Sequence, residues 1–181
     1  MKKEQWKTKY IKLFILCLLF RLIPYRTPNV EPILCMQMPL SKKHGLLGGF
    51  IFGFGSIFIY DLLTKTIGIW TIVTAFTYGL VGIGATYFFK KYSISRINFV
   101  LYAIIGTLFY DSITGLFIGP LFFHQNFLNA LIGQIPFTIL HLLGNCTFAF
   151  FISPALYKFL TENKQRKRSK KYFQFKNLCN N

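Results

Sequence analysis

Apolar runs broken by short polar punctuation organise this chain. Continuous apolar stretches cover residues 10–23, 45–63, 70–90 and 97–114, and a longer one runs from 126 to 160. A bilayer core of about 30 Å takes about 20 residues of α-helix, fewer where helix ends snorkel, so each of the first four predicts one crossing. The longest would form a helix of about 52 Å, too long for one straight span. One crossing over 137–160 accommodates it. HQNFLNALIGQIP (124–136) is then left at the outer face as a half-helix or lid, with Pro136 at the bend. The short piece NVEPILCMQMPLS (29–41), with Pro32 and Pro39, is read as another helix, irregular and shielded by its neighbours.

Charge decides the status of that short piece. Lys2, Lys3, Lys7, Lys9 and Lys12 lead the chain; Lys42 and Lys43 form one break, and Lys90, Lys91 and Arg96 another. A last cluster runs from Lys158 to Lys176. Positive-inside orientation puts all these groups on the cytoplasmic side only if 29–41 crosses the membrane. Of the 21 basic residues, only Arg21, Arg26 and Lys65 then fall elsewhere. The expectation is an all-α, polytopic membrane protein with six transmembrane helices and cytoplasmic N and C termini. Residues 1–9 form a basic N-terminus, 10–160 the transmembrane domain and 161–181 a basic tail. The start also looks like a signal peptide, but RLIPYR follows without a small-residue cleavage site, so 11–23 is read as a retained span.

Composition agrees. The chain is 53% hydrophobic with 22 Phe, more apolar surface than a water-soluble domain of 181 residues could hide, which excludes a soluble enzyme. The +16 formal charge therefore does not call for nucleic acid. The tail NKQRKRSKKYFQFK (163–176) reads instead as a segment that binds anionic lipid headgroups. Cys17, Cys35, Cys146 and Cys179 have no metal-ligand spacing and read as small apolar residues.

Acid is scarce: five Asp and Glu in all. Both aspartates stand in matching words, FGSIFIYDLLTKTIG (54–68) and IGTLFYDSITGLFIG (105–119), fifty residues apart. The topology puts Asp61, Asp111 and Glu31 on the outer face. Tyr-Asp-x-x-Thr at a helix end is open to two compatible readings, helix termination in the interfacial belt or the rim of an outward pocket. Gln134, Thr138, His141 and Asn145 fall at i, i+4, i+7 and i+11 on one face of an otherwise apolar helix, a polar stripe about 16 Å long. Such side chains face protein or a wet cavity, as interhelical glue or as a ligand site. Gly49 and Gly53 allow close helix approach, chiefly within one bundle, and Trp70 is an interfacial anchor or a stacking wall. No nucleophile elbow, zinc-protease motif, phosphate loop or catalytic acid pair is present, and no metal site or cofactor is implied.

RLIPYRTPNVEPI, the glycine-rich helix ending in YD, GIWT, FYDSITG and GQIPFTILHLLGN occur in an order that resembles the substrate-binding S component of energy-coupling factor (ECF) vitamin transporters. The resemblance spans about residues 15–160. It implies six helices, an outward pocket for a vitamin-like molecule, and partnership with a transmembrane scaffold subunit and two cytoplasmic ATPases in a prokaryotic cell membrane. On this reading Asn29, Glu31, Tyr60, Asp61, Trp70, Tyr110, Asp111, Gln134, His141 and Asn145 line or gate the pocket. The family often carries small residues four apart on its first helix, where the scaffold docks; IKLFILCLLF offers only Cys17. Two rival readings are a structural or assembly membrane protein without a solute site, and a membrane enzyme acting on lipid.

Overall fold

The computed structural model describes residues 2–25 and 30–162. Five helices follow one another: α1 (Lys2–Arg21), α2 (Ile33–Thr64), α3 (Ile69–Lys91), α4 (Arg96–Phe123) and α5 (Phe127–Thr161). The last four are long and apolar enough to cross a membrane, which makes this an all-helical, multi-pass membrane protein. Their exposed faces fit that setting, with Leu47, Ile97, Leu143 and Phe151 each more than 60% accessible.

Among the described residues the count is five helices, not the expected six. The pieces expected at 29–41 and 45–63 are run together as α2, which nevertheless contains a non-helical residue, Gly45, at φ 75° and ψ −164°. That left-handed φ is open to glycine and costly for other residues. The chain doubles back there. Gln37 Nε2 donates to the Gly49 carbonyl at 3.0 Å, a contact that twelve residues of straight helix would hold about 18 Å apart. α2 is therefore two arms, 33–44 and 46–64, folded on each other. The first arm is regular, not irregular, and every residue from Ile33 to Ser41 is buried.

The helix ends also differ from expectation. α4 continues past 114 to Phe123, and 124–136 is not a separate half-helix, because α5 runs unbroken from Phe127 through Pro136 and Pro154. Where no water is available to satisfy a freed carbonyl, continuing the helix past a proline costs less than abandoning several backbone bonds. α1 begins at Lys2, within the stretch expected as a basic N-terminal segment.

Close backbone approach positions the rest. A side-chain carbon on Gly82 would overlap the Gly49 carbonyl, and one on Gly53 would strike the Tyr78 carbonyl. Gly49 and Gly53 thus serve packing inside the bundle. Gln37 bridges the seam by donating also to Tyr78 O at 2.8 Å. Cys17, the small residue of α1, is fully buried and so is not part of an outer docking face.

Charge is segregated along the bundle. At one end Lys9 Nζ donates to the carbonyls of Phe159 and Glu162, at 2.6 and 2.8 Å, and Lys42 donates to the carbonyl of Phe89 near the end of α3. The other end holds Glu31, paired with Arg21, and Asp61; Asp111, expected at a helix end, lies mid-helix because α4 runs on to Phe123. The two ends are tied by α1, which places Tyr10 on Gly48 O at 2.8 Å and Arg21 on Ser56 O.

Candidate functional site

Four elements deliver side chains to the acidic end. α4 presents Thr107 and Asp111 one turn apart; α5 presents Gln134, Thr138, His141 and Asn145; α3 supplies Tyr78; and Arg21 closes α1. Five of them are almost fully buried: Thr107 and Asn145 (1% accessible), Asp111 (2%), Tyr78 (3%) and His141 (4%). Groups that costly to bury in a membrane are expected to be partnered.

His141 is the hub. Its Nδ1 lies 2.8 Å from Asp111 Oδ1, and its Nε2 3.4 Å from the Tyr78 hydroxyl. A carboxylate can only accept, so Nδ1 donates to Asp111, while Nε2 faces the Tyr78 hydroxyl. Tyr110 packs between these groups, its ring 4.2 Å from that of Tyr78 and 5.8 Å from His141. One turn deeper, Asn145 Nδ2 donates to Thr107 Oγ1 at 2.8 Å. The pairing is incomplete. Asp111 Oδ2 and Asn145 Oδ1 are buried, and no group of the described residues donates to either.

A second cluster surrounds Arg21. Its Nε is 3.3 Å from Glu31 Oε2, and the guanidinium stacks 4.0 Å above the Tyr60 ring.

The remaining expected residues are placed differently. Asp61 Oδ2 accepts from Thr71 Oγ1 at 2.6 Å, and the same Thr71 hydroxyl accepts from the Gly68 amide at 3.1 Å. Asp61 is thereby a pin for the α2–α3 turn. Trp70 is 42% exposed and packs near Phe123, with centroids 6.3 Å apart. Gln134 donates to Thr138 at 3.0 Å and fills the space over Gly115. Asn29 lies outside the described residues.

A cleft of about 260 Å³ opens beside Asp111, walled by α4 and α5 alone. Ser112, Gln134 and Thr138 are its other polar borders, with Leu108 and Ile135 among the apolar ones. The structure therefore joins Asp111 and Gln134 in one cavity, sets His141 and Asn145 behind it, and leaves Glu31, Tyr60, Asp61 and Trp70 away from it. Four contributors were not expected from the sequence. Thr107 could have been found, standing four residues before Asp111 on the same helical face. Arg21 could have been sought as one of two arginines, with Arg26, that precede Glu31. Tyr78 and Thr71 depend on which way neighbouring helices turn.

Among the described residues no group of three or more His, Cys, Asp or Glu is placed to hold a metal ion. Comparison with known proteins finds no matching family model, curated protein or solved structure.

Proposed function

We propose that this chain is a membrane solute-binding subunit, the S component of an ECF-type importer, and captures a vitamin-like or related small molecule at the acidic end of its bundle. One observation carries this reading: a buried carboxylate, Asp111, has an oxygen without a donor and borders a cavity. An ionisable group inside a membrane span marks a functional site by default. The doubling back at Gly45 and the gathering of Lys9 and Lys42 at the opposite end support six crossings with both termini cytoplasmic, in a prokaryotic cell membrane. A transmembrane scaffold and two cytoplasmic ATPases would supply the energy, with anionic lipid at the 163–176 tail.

A second reading is favoured by one fact: both nitrogens of His141 are already engaged. The chain would then be a structural or assembly protein whose polar stripe bonds helix to helix. Purification of the tagged chain from its native membrane separates the two. The transport reading expects a retained small molecule and copurifying ATPases. A preparation free of both, from membranes competent for uptake, would favour the structural reading.

A further inference from the structure

Resting on the solute-binding reading, we infer that the α4–α5 cleft takes a small amphipathic cation, an ammonium or amidinium head on an apolar body, with Asp111 as its counter-ion. Three observations converge on this class.

The first is the state of Asp111. It is 2% accessible, receives one hydrogen bond from His141 on Oδ1, and has none on Oδ2 from any described residue. Oδ2 is therefore a buried acceptor without a donor, and a guest that brings a charged N–H to it would satisfy it. The second is the make-up of the cleft. Its polar borders are the Asp111 carboxylate, the Gln134 amide and the hydroxyls of Ser112 and Thr138, and no lysine or arginine among the described residues lines it. The Gln134 amide gives one N–H to Thr138 and keeps its carbonyl oxygen as an acceptor. A guest that donates meets several acceptors there; an anion meets none of the fixed charges it needs. The third is size and polarity. At about 260 Å³ the cleft is just under the roughly 300 Å³ at which drug-sized ligands begin, and Leu108, Leu116, Leu131, Ile135 and Ile139 form most of its wall. That is room for one ring or a short chain behind the head group.

Arg21, the buried cation at this end, is already engaged elsewhere. It is held by Glu31, by the Ser56 carbonyl and over Tyr60, so its charge is spent in the neighbouring cluster.

The test uses three probes with one ring and different heads: benzamidine (cation), benzyl alcohol (neutral) and benzoate (anion). Each is titrated calorimetrically against the full chain in nanodiscs at pH 7. Saturable binding is expected for benzamidine and not for benzoate, with affinity falling more than about 30-fold in Asp111→Asn. Ser112→Phe, which narrows the cleft without touching the Asp111–His141 pair, should abolish binding and guards against a misfolded Asp111→Asn. Benzoate binding as tightly as benzamidine, or benzamidine binding that survives both substitutions, would overturn the inference. So would the absence of binding by all three. If a solute retained from native membranes still binds Asp111→Asn normally, the cation inference fails while the solute-binding reading stands. If no solute is retained either, both fail.

Discussion

Tyr60-Asp61-Leu62-Leu63-Thr64 and Tyr110-Asp111-Ser112-Ile113-Thr114 are nearly the same word, and the fold uses them in opposite ways. Their threonines behave alike: each hydroxyl donates back to the tyrosine carbonyl one turn earlier, at 2.9 Å in both. Their aspartates do not. Asp61, half-exposed at the end of α2, accepts from a threonine ten residues on and holds a turn. Asp111, mid-helix in α4, is sealed from solvent and meets an imidazole from another helix. The tyrosines part in the same way, Tyr60 under a guanidinium and Tyr110 against another phenol. Local sequence set the backbone bonding of both words; depth in the bundle set the chemistry.

The contrast can be broken by removing each aspartate's donor. His141→Ala leaves a buried carboxyl group without its donor and should cost about 1.5–3 kcal/mol of stability, read by denaturant unfolding in detergent. Loss of under about 1 kcal/mol would mean that Asp111 is solvated or protonated and the contrast is false. Thr107→Val, which strips the partner of Asn145 one turn below, should cost about 0.6–1.7 kcal/mol in the same assay. Thr71→Val, the corresponding cut at Asp61, should cost about 1 kcal/mol or less, because water can replace the lost donor. A penalty matching that of His141→Ala would erase the distinction. Thr64→Val and Thr114→Val should each change stability by only a few tenths of a kcal/mol and by equal amounts, since the back-bond to the preceding turn adds little to a helix.

Much of the architecture was legible. Apolar runs located every long helix, and the lysines of 42–43 marked the break at which Gly45 reverses the chain. Helix ends were less so. Pro136 reads as a bend in isolation, yet α5 passes through it, because in lipid the cost of leaving backbone groups unsatisfied outweighs the loss of one bond. The stripe from Gln134 to Asn145 was visible from its period. What the period could not give was the partner of each member. Tyr78 meets His141 through the way α3 and α5 are set in the bundle, a fact of packing between helices. Nor could identical words reveal that one aspartate would be walled in and the other left at a turn.

The most direct test sets the two aspartates side by side. Wild-type, Asp61→Asn and Asp111→Asn chains are purified in parallel from native membranes, and the small molecule retained by each is quantified by mass spectrometry. The account predicts equal occupancy in wild type and Asp61→Asn, and an empty Asp111→Asn of normal fold. Solute retained in full by Asp111→Asn, or lost on changing Asp61 alone, would contradict it.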